Sequence, residues 1–270
     1  MPGQDEDSYE IHAVKYARHD RPAHENFIGG DPHDNAPMPL DYFVWAVVGR
    51  RRSFILDTGF SAEVAARRGR RLLCTPAEGL RRIGIEAAEA TDVVLSHMHY
   101  DHAGNAGMFP GARYHIQDRE MAFCTGRCMC HGTLRAPFEA EDVKAMVDRV
   151  FAGRASFHDG SVELAPGVSL HHVGGHSLGL QVMRVRTRRG WVVLASDATH
   201  FYANLEQRRP FPIVADMTQV LEGYDALHRL ASSPAHIIPG HDPLVLERYP
   251  ASAPGLEGMA ARLDAEPRPG

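Results

Sequence analysis

The spacing of apolar positions changes along the chain, and each change marks an element. Tyr9–Tyr16 alternates and predicts a strand. Tyr42–Val48 is continuously apolar, Gly49–Arg52 is a basic turn, and Ser53–Asp57 resumes the apolar run, which together predict a hairpin. Ahead of it, Ala23–Leu40 is rich in Pro, Gly, Asn and His and predicts a loop. Short helices are expected over Ser61–Arg68, capped by Ser61, and from Thr75-Pro76 to about Ile83. Thr91–Ser96 and Ala112–Ile116 are compact strands. Val143, Met146, Val147 and Val150 recur at helical spacing within Glu139–Val150, and Met217, Leu221, Tyr224 and Leu227 do so within Met217–Ala231. Strands are expected near Ser161–Leu164, Ser169–Val173, Leu180–Thr187 and Trp191–Ser196, and a last core strand over Ala235–Ile238. From Pro250 onward Ala, Pro and Gly dominate, so the tail 251–270 is expected to fray from a single domain spanning 1–250.

These strands fall into two groups with helices between and after them. Several connections are too short for the crossover helices of a doubly wound parallel sheet, so two sheets covered by helices fit better. Composition narrows the partners. With 29 Lys+Arg against 34 Asp+Glu the net charge is −5, which gives no support to a nucleic-acid partner. The basic clusters Arg50–Arg52, Arg67–Arg71 and Arg186–Arg189 lack interleaved aromatics and read as solvated surface, with a site for an anionic partner as the alternative. The longest apolar run, Tyr42–Val48, is far shorter than a membrane span of about 20 residues. Met1–Glu10 is acidic and carries no apolar stretch, unlike a signal peptide. No membrane association is expected, and the four cysteines read as thiols of a cytoplasmic protein. The unusual abundance is 17 histidines.

Four of the residues best able to bind metal crowd into His97-Met98-His99-Tyr100-Asp101-His102, directly after the strand Thr91–Ser96. A turn at a strand end can aim all four side chains into one cleft, and imidazole with carboxylate suits zinc, iron or manganese. Three more candidates each follow an apolar strand: His176 in Gly174-Gly175-His176-Ser177, Asp197 after Trp191–Ser196, and His241 in Pro239-Gly240-His241-Asp242. Strand ends at one edge of a fold converge, so the recurrence points to a dinuclear metal site.

The His-x-His-x-Asp-His motif, the Asp57-Thr58-Gly59 turn and the later His, Asp and His resemble the metallo-β-lactamase superfamily. The resemblance implies an α/β fold, the αββα sandwich of two mixed β-sheets flanked by helices, with metals at one edge of the sheets. It implies His97, His99 and His176 as ligands of a first metal, Asp101, His102 and His241 as ligands of a second, and Asp197 as a carboxylate bridging both. Asp57 takes the place of a buried Asp that hydrogen-bonds beneath the metals. Two Zn2+ are expected, and iron or manganese accept the same ligands.

Within the superfamily, Gly-Gly-His-Ser followed by Leu178-Gly179, Ser196-Asp197-Ala198 and the long loop before Tyr42 look like the N-acyl homoserine lactonase group, whose relatives include pyridoxolactonase and butyrolactone hydrolases. That resemblance implies a quorum-quenching type of hydrolase. A metal-bridging hydroxide would attack a small lactone or ester at its carbonyl, and the C–O bond would break. β-Lactamase, thioesterase and phosphodiesterase activities are the alternatives on the same fold. A homodimer is implied by the resemblance alone. The group places a tyrosine three residues after the bridging Asp. Here that position is His200, and Tyr202 lies two residues further on, so both are candidates for contacting substrate. Cys124, Cys128, Cys130 and His131 lack good zinc-site spacing and read as a pocket wall, which Met121, Phe123, Met129 and Phe138 could line.

Overall fold

The alternation of the first strands serves two cores at once. In the computed structural model, which describes residues 8–268, β1 (Glu10–His19), β2 (Leu40–Val48) and β3 (Ser53–Leu56) pair antiparallel. Phe43, Trp45 and Val47 of β2 enter one core, and Tyr42, Val44 and Ala46 enter another on the opposite face. A strand's side chains point to alternate faces, so a continuously apolar strand belongs between two covered faces.

β4 (Arg71–Leu72) adds briefly to β1, while β5 (Asp92–Val94), β6 (Arg113–Gln117) and β7 (Ala155–His158) extend the sheet in parallel from β3. A second sheet comprises β8 (Val162–Ala165), β9 (Val168–His172), β10 (Gln181–Thr187) and β11 (Gly190–Ser196) in antiparallel order, then β12 (Ile237–Pro239) parallel to β11. Met183, Val185, Val192 and Leu194 of this sheet meet Phe43, Trp45, Phe54 and Leu56 of the first in the core between the sheets.

Helices close the two outer faces. α1 (Ala62–Arg68) starts at Ser61, whose hydroxyl accepts from Val64 N, and α2 (Pro76–Arg82) starts with a reciprocal Thr75–Glu78 capping box. With α3 (Tyr100–Ala103), α4 (Asp118–Thr125), α5 (Gly132–Arg135) and α6 (Ala140–Phe151) they contribute to the core outside the first sheet. α7 (Tyr202–Glu206) links the second sheet to α8 (Met217–Leu230), whose Val220, Tyr224 and Leu227 pack on Val182, Val193 and Ala195. α9 (Leu244–Arg248) inserts Val245 between the sheets. The layers therefore run helix, sheet, sheet, helix, as the resemblance implied. Among the described residues no helix is long and apolar enough to cross a membrane.

Three details depart from the sequence pattern. Met217, expected on the buried stripe of α8, sits in its first turn and is 40% exposed, and Val220 takes the buried place. β7 escaped notice because it is four residues long and its Phe157 is largely exposed. The expected frayed tail is, up to residue 268, ordered. β13 (Ala260–Arg262) pairs antiparallel with β1, Leu263 is fully buried between the sheets, and Asp264 accepts a bond from Ile11 N and pairs with Arg262. Small Ala side chains hide the strand from an apolar-pattern reading, while the edge of β1 supplies its hydrogen bonds. The remaining tail residues, 269 and 270, lie outside the described residues, as do 1–7 at the other end. Leu263→Ala is expected to cost about 2–4 kcal/mol, by leaving a cavity in the inter-sheet core. Urea denaturation measures it, and an unshifted midpoint would show the tail to be dispensable.

Candidate metal centre

Five strand ends deliver the site to one edge of the sandwich. β3 ends at Leu56 and is followed by Asp57, and β5 runs out into Ser96, His97 and His99. β9 leads to His176, β11 to Asp197 and β12 to His241. α3 is a single turn that carries Asp101 and His102 back over these ends. Asp57 and Ser196 hold positive φ of 64° and 45°, an uncommon conformation for residues with a Cβ, and it is found here where chain ends turn sharply into the site. Gly240 is required by proximity. A Cβ there would lie 2.7 Å from the Ser196 carbonyl oxygen and 2.8 Å from Asp197 Oδ1.

The structure brings together all seven residues expected to bind metal, every one of them buried. Their donor atoms form three overlapping triads, each within 4.8 Å: His97, His99 and His176; His97, His102 and Asp197; and Asp101, His102 and His241. The backs of the rings are held. His102 Nδ1 donates to Asp57 Oδ2 at 2.7 Å, His176 Nδ1 to the Ile213 carbonyl at 2.8 Å, and His241 Nδ1 to the Asp41 carbonyl at 3.0 Å, the partners fixing these tautomers. With Nδ1 protonated, each Nε2 presents a lone pair toward the front. All three then face the Asp197 carboxylate, His241 at 2.9 Å, His176 at 3.1 Å and His102 at 3.3 Å.

With these rings neutral, lone pair would face lone pair at such distances, which is repulsive unless a proton or a metal ion lies between. Burial lowers the basicity of His102, but the Asp197, Asp101 and Asp57 carboxylates more than reverse this, and His241 is raised in the same way, mainly by Asp197. Burial and the neighbouring rings hold His97 and His99 well below the usual range. Protons therefore cannot serve every ring. The Nε2 atoms of His97 and His102 are buried with no hydrogen-bond partner among the described residues. A nitrogen-and-oxygen donor set with orphaned lone pairs and two carboxylates fits divalent metal ions.

Outside the donor cluster lies a cavity of about 290 Å3. His99, Asp101, His176, Asp197 and His241 form its floor, and Phe123, Leu134, Phe211 and Ile213 contribute an apolar wall.

A sequence profile described as the metallo-beta-lactamase superfamily matches residues 38–241. The chain belongs to this superfamily. Among curated relatives, N-acyl homoserine lactonase AiiB of Agrobacterium fabrum is 32% identical over 137 residues, 48% of each protein. An N-acyl homoserine lactonase of a Bacillus species is 29% identical over 136 residues, 49% of this chain and 48% of the relative. The chain thus spans about half the length of the curated relatives it matches. A quorum-quenching N-acyl homoserine lactone lactonase of known structure superposes with a TM-score of 0.71 at 21% identity, covering 86% of this chain and 92% of the other. An N-acyl homoserine lactone hydrolase with N-hexanoyl-L-homoserine at its catalytic metal centre gives 0.70 at 21% identity, covering 86% and 93%. At these identities the superpositions establish the shared fold.

In this superfamily member the two candidates for substrate contact part ways. His200 lines the cavity, its Nε2 3.1 Å from Asp197 Oδ2 and its ring stacked at 3.8 Å on Phe211. Burial pushes His200 down to about 3, against the pull of Asp197, so the ring is neutral. Tyr202 does not reach the cavity. Helix α7 turns it into the inter-sheet core, where its ring lies 3.9 Å from the Arg248 guanidinium. Of the cysteine segment, Phe123 reaches the cavity and the Phe138 ring meets His99 edge-on at 4.5 Å. Cys124, Met129 and Phe138 line a neighbouring groove, and no potential metal triad among the described residues contains a cysteine.

Several contributors escaped the sequence reading. Glu120, fully buried on α4, accepts from Met98 N at 2.8 Å, Gly179 N at 3.0 Å and Ser177 Oγ, clipping the His97–His102 segment to the His176 loop. Arg68 and Arg70, read as solvated surface, line the cavity together with Arg21. No local pattern marks an isolated buried acid, or tells a surface arginine from one folded over a cleft. Glu120→Ala should destabilise the metal-free protein by about 2–3 kcal/mol, because two backbone N–H groups lose their acceptor in the interior. Denaturant titration reads this, and an unchanged midpoint would remove the clip.

Proposed function

We propose that this protein is a dinuclear zinc hydrolase that opens a small lactone or a related carboxylic ester. The observation that carries the reading is the convergence of three imidazole Nε2 atoms on one buried carboxylate that lines a cavity sized for a small molecule. The resemblance to N-acyl homoserine lactonases over half their length supports the lactone as substrate.

In this reading His97, His99 and His176 would hold one ion, Asp101, His102 and His241 the other, and Asp197 would be shared between them. When bound, the pair supplies Lewis acidity and activates water for attack on an ester carbonyl at neutral pH. The protein's own contribution is orientation. The Asp57 carboxylate holds His102 by its Nδ1–H, and the backbone carbonyls of Ile213 and Asp41 do the same for His176 and His241. Neutral His200, its Nε2 3.1 Å from Asp197 Oδ2, keeps that carboxylate turned toward the cluster, while its ring stacks on Phe211. Its role is to position Asp197. The apolar wall of Phe123, Leu134 and Phe211 limits water around the ring of the substrate. The cytoplasmic location and the homodimer expected above belong to the same proposal.

Proton release on a panel of γ-butyrolactone, N-hexanoyl homoserine lactone and phthalide tests the activity. Turnover of at least one is expected with the zinc-loaded protein. Cleavage of nitrocefin, a thioester or a phosphodiester with no lactone opened would overturn it. Metal analysis should find about two zinc ions per chain, and Asp197→Ala or His102→Ala should lose both bound metal and activity. Asp57→Asn, which keeps the shape but weakens the hold on His102, should lower metal affinity by about 10–100-fold. Wild-type zinc affinity in that variant would contradict the assigned role.

A further inference from the structure

The outer part of the cavity carries a charge that the proposed metal chemistry does not use. Arg21, Arg68 and Arg70 all line it. Arg68 is committed elsewhere, bonding Glu139 at 2.8 Å and lying 4.1 Å above the Tyr100 ring. Arg70 is different. Its Nε donates to Tyr100 Oη at 3.1 Å, and its Nη1 meets His19 Nε2 at 3.1 Å and the Arg68 carbonyl at 2.7 Å. Every partner is neutral, no carboxylate lies within ion-pair distance, and Nη2 carries no hydrogen bond among the described residues. Arg21 contacts Glu25 at 3.2 Å on its outer side and lies 5.0 Å from the Phe211 ring. The two guanidinium groups are close enough to act on the same imidazole. After burial, Arg70 and then Arg21 hold His19 down at about 4.

Arg70 is half-buried with no carboxylate partner of its own, while Arg21 on the same cavity is paired with Glu25, so an anion between them would chiefly neutralise Arg70. Both are tied to the metal cluster through aromatic rings. Arg21 lies over Phe211, which stacks on His200. Arg70 bonds Tyr100, whose hydroxyl is 3.2 Å from that of Tyr42, and the Tyr42 ring meets His241 at 5.1 Å. A small substrate whose carbonyl rests at the floor would thus have its far end beside these two side chains. Guanidinium groups present planar donor pairs that match a carboxylate.

We propose that Arg70 and Arg21 form a carboxylate subsite, so that the preferred substrate is a small lactone or ester that carries a free carboxylate. This rests on the hydrolase reading above and specifies its substrate class. In its favour, the cavity of about 290 Å3 suits a compact anionic ring.

The test compares 5-oxotetrahydrofuran-2-carboxylate with its 2-carboxamide as substrates of the zinc-loaded protein. The carboxylate should be preferred in kcat/KM by about 10–100-fold, the size of one charge-assisted hydrogen bond, chiefly through KM. Arg70→Met and Arg21→Met should each bring the ratio toward one, while Arg70→Lys, which keeps charge but not the fork, should retain part of it. No preference in the wild type, or a ratio unchanged in the Met variants, overturns the subsite and leaves the lactonase reading standing. If neither lactone is opened, calorimetry with cyclopentanecarboxylate and cyclopentanecarboxamide judges the arginines separately. Carboxylate-selective binding that both Met variants lose supports the subsite. Binding that survives in them belongs to the metal cluster and overturns it, as does no selective binding at all.

Discussion

The Asp57 carboxylate joins what would otherwise be separate loops. It accepts from Ser96 N at 2.7 Å and Ser96 Oγ at 2.9 Å at the end of β5, from His102 Nδ1 at 2.7 Å on α3, and from Ser196 Oγ at 3.4 Å at the end of β11 in the other sheet. A fully buried carboxylate is tolerable only when such donors surround it. The requirement works in both directions: the donors must come to Asp57, and so the ends of strands from both sheets meet at one edge. The left-handed backbone at Asp57 and Ser196 is the local strain that this meeting requires.

Above that carboxylate the interior holds an arrangement that apolar packing alone would expel. Six imidazoles and two further carboxylates sit together with almost no exposure, and every ring held from behind turns a lone pair forward. The surrounding aromatic packing fixes these orientations before any ligand arrives: Tyr42 against His241, Phe138 against His99 and Phe211 against His200. Arginines line the same cavity, Arg21 over the Phe211 ring and Arg68 over the Tyr100 ring. One cavity therefore combines electron-pair donors, apolar side chains and arginines, which is the basis for proposing both a reactive end and an anionic end for the substrate.

The two-sheet architecture and the convergence of the seven candidate donors were legible for a shared reason. Strand alternation repeats over many residues, as in Phe43, Trp45 and Val47 against Tyr42, Val44 and Ala46, and the candidate donors lie in the turns after strands or on the short helix α3. His97, His99, Asp101 and His102 are neighbours in the chain, so one turn brings them together whatever lies around them. The weak points were short or compositionally plain elements. β13 is three residues of small side chain and arginine, and only the open edge of β1 makes it a strand. Tyr202 lies near Asp197 in sequence, yet one turn of helix is enough to rotate it into the core.

The sequence by itself pointed to two helix-covered sheets and to seven candidate donors, because period-two alternation and the close spacing of His97–His102 act over a few residues and need no distant partner. Tertiary structure decided everything that depends on residues far apart in the chain. It chose His200 over Tyr202 for the cavity, made Glu120 the clip between two loops, and turned Arg68 and Arg70 from an apparent surface cluster into cavity wall. Desolvation and direction cause the difference. A charge or a ring acquires its role from what excludes water around it and from where its polar edge points, and both are set only when elements as distant as Arg21, Arg70, Phe211 and His241 close around one space.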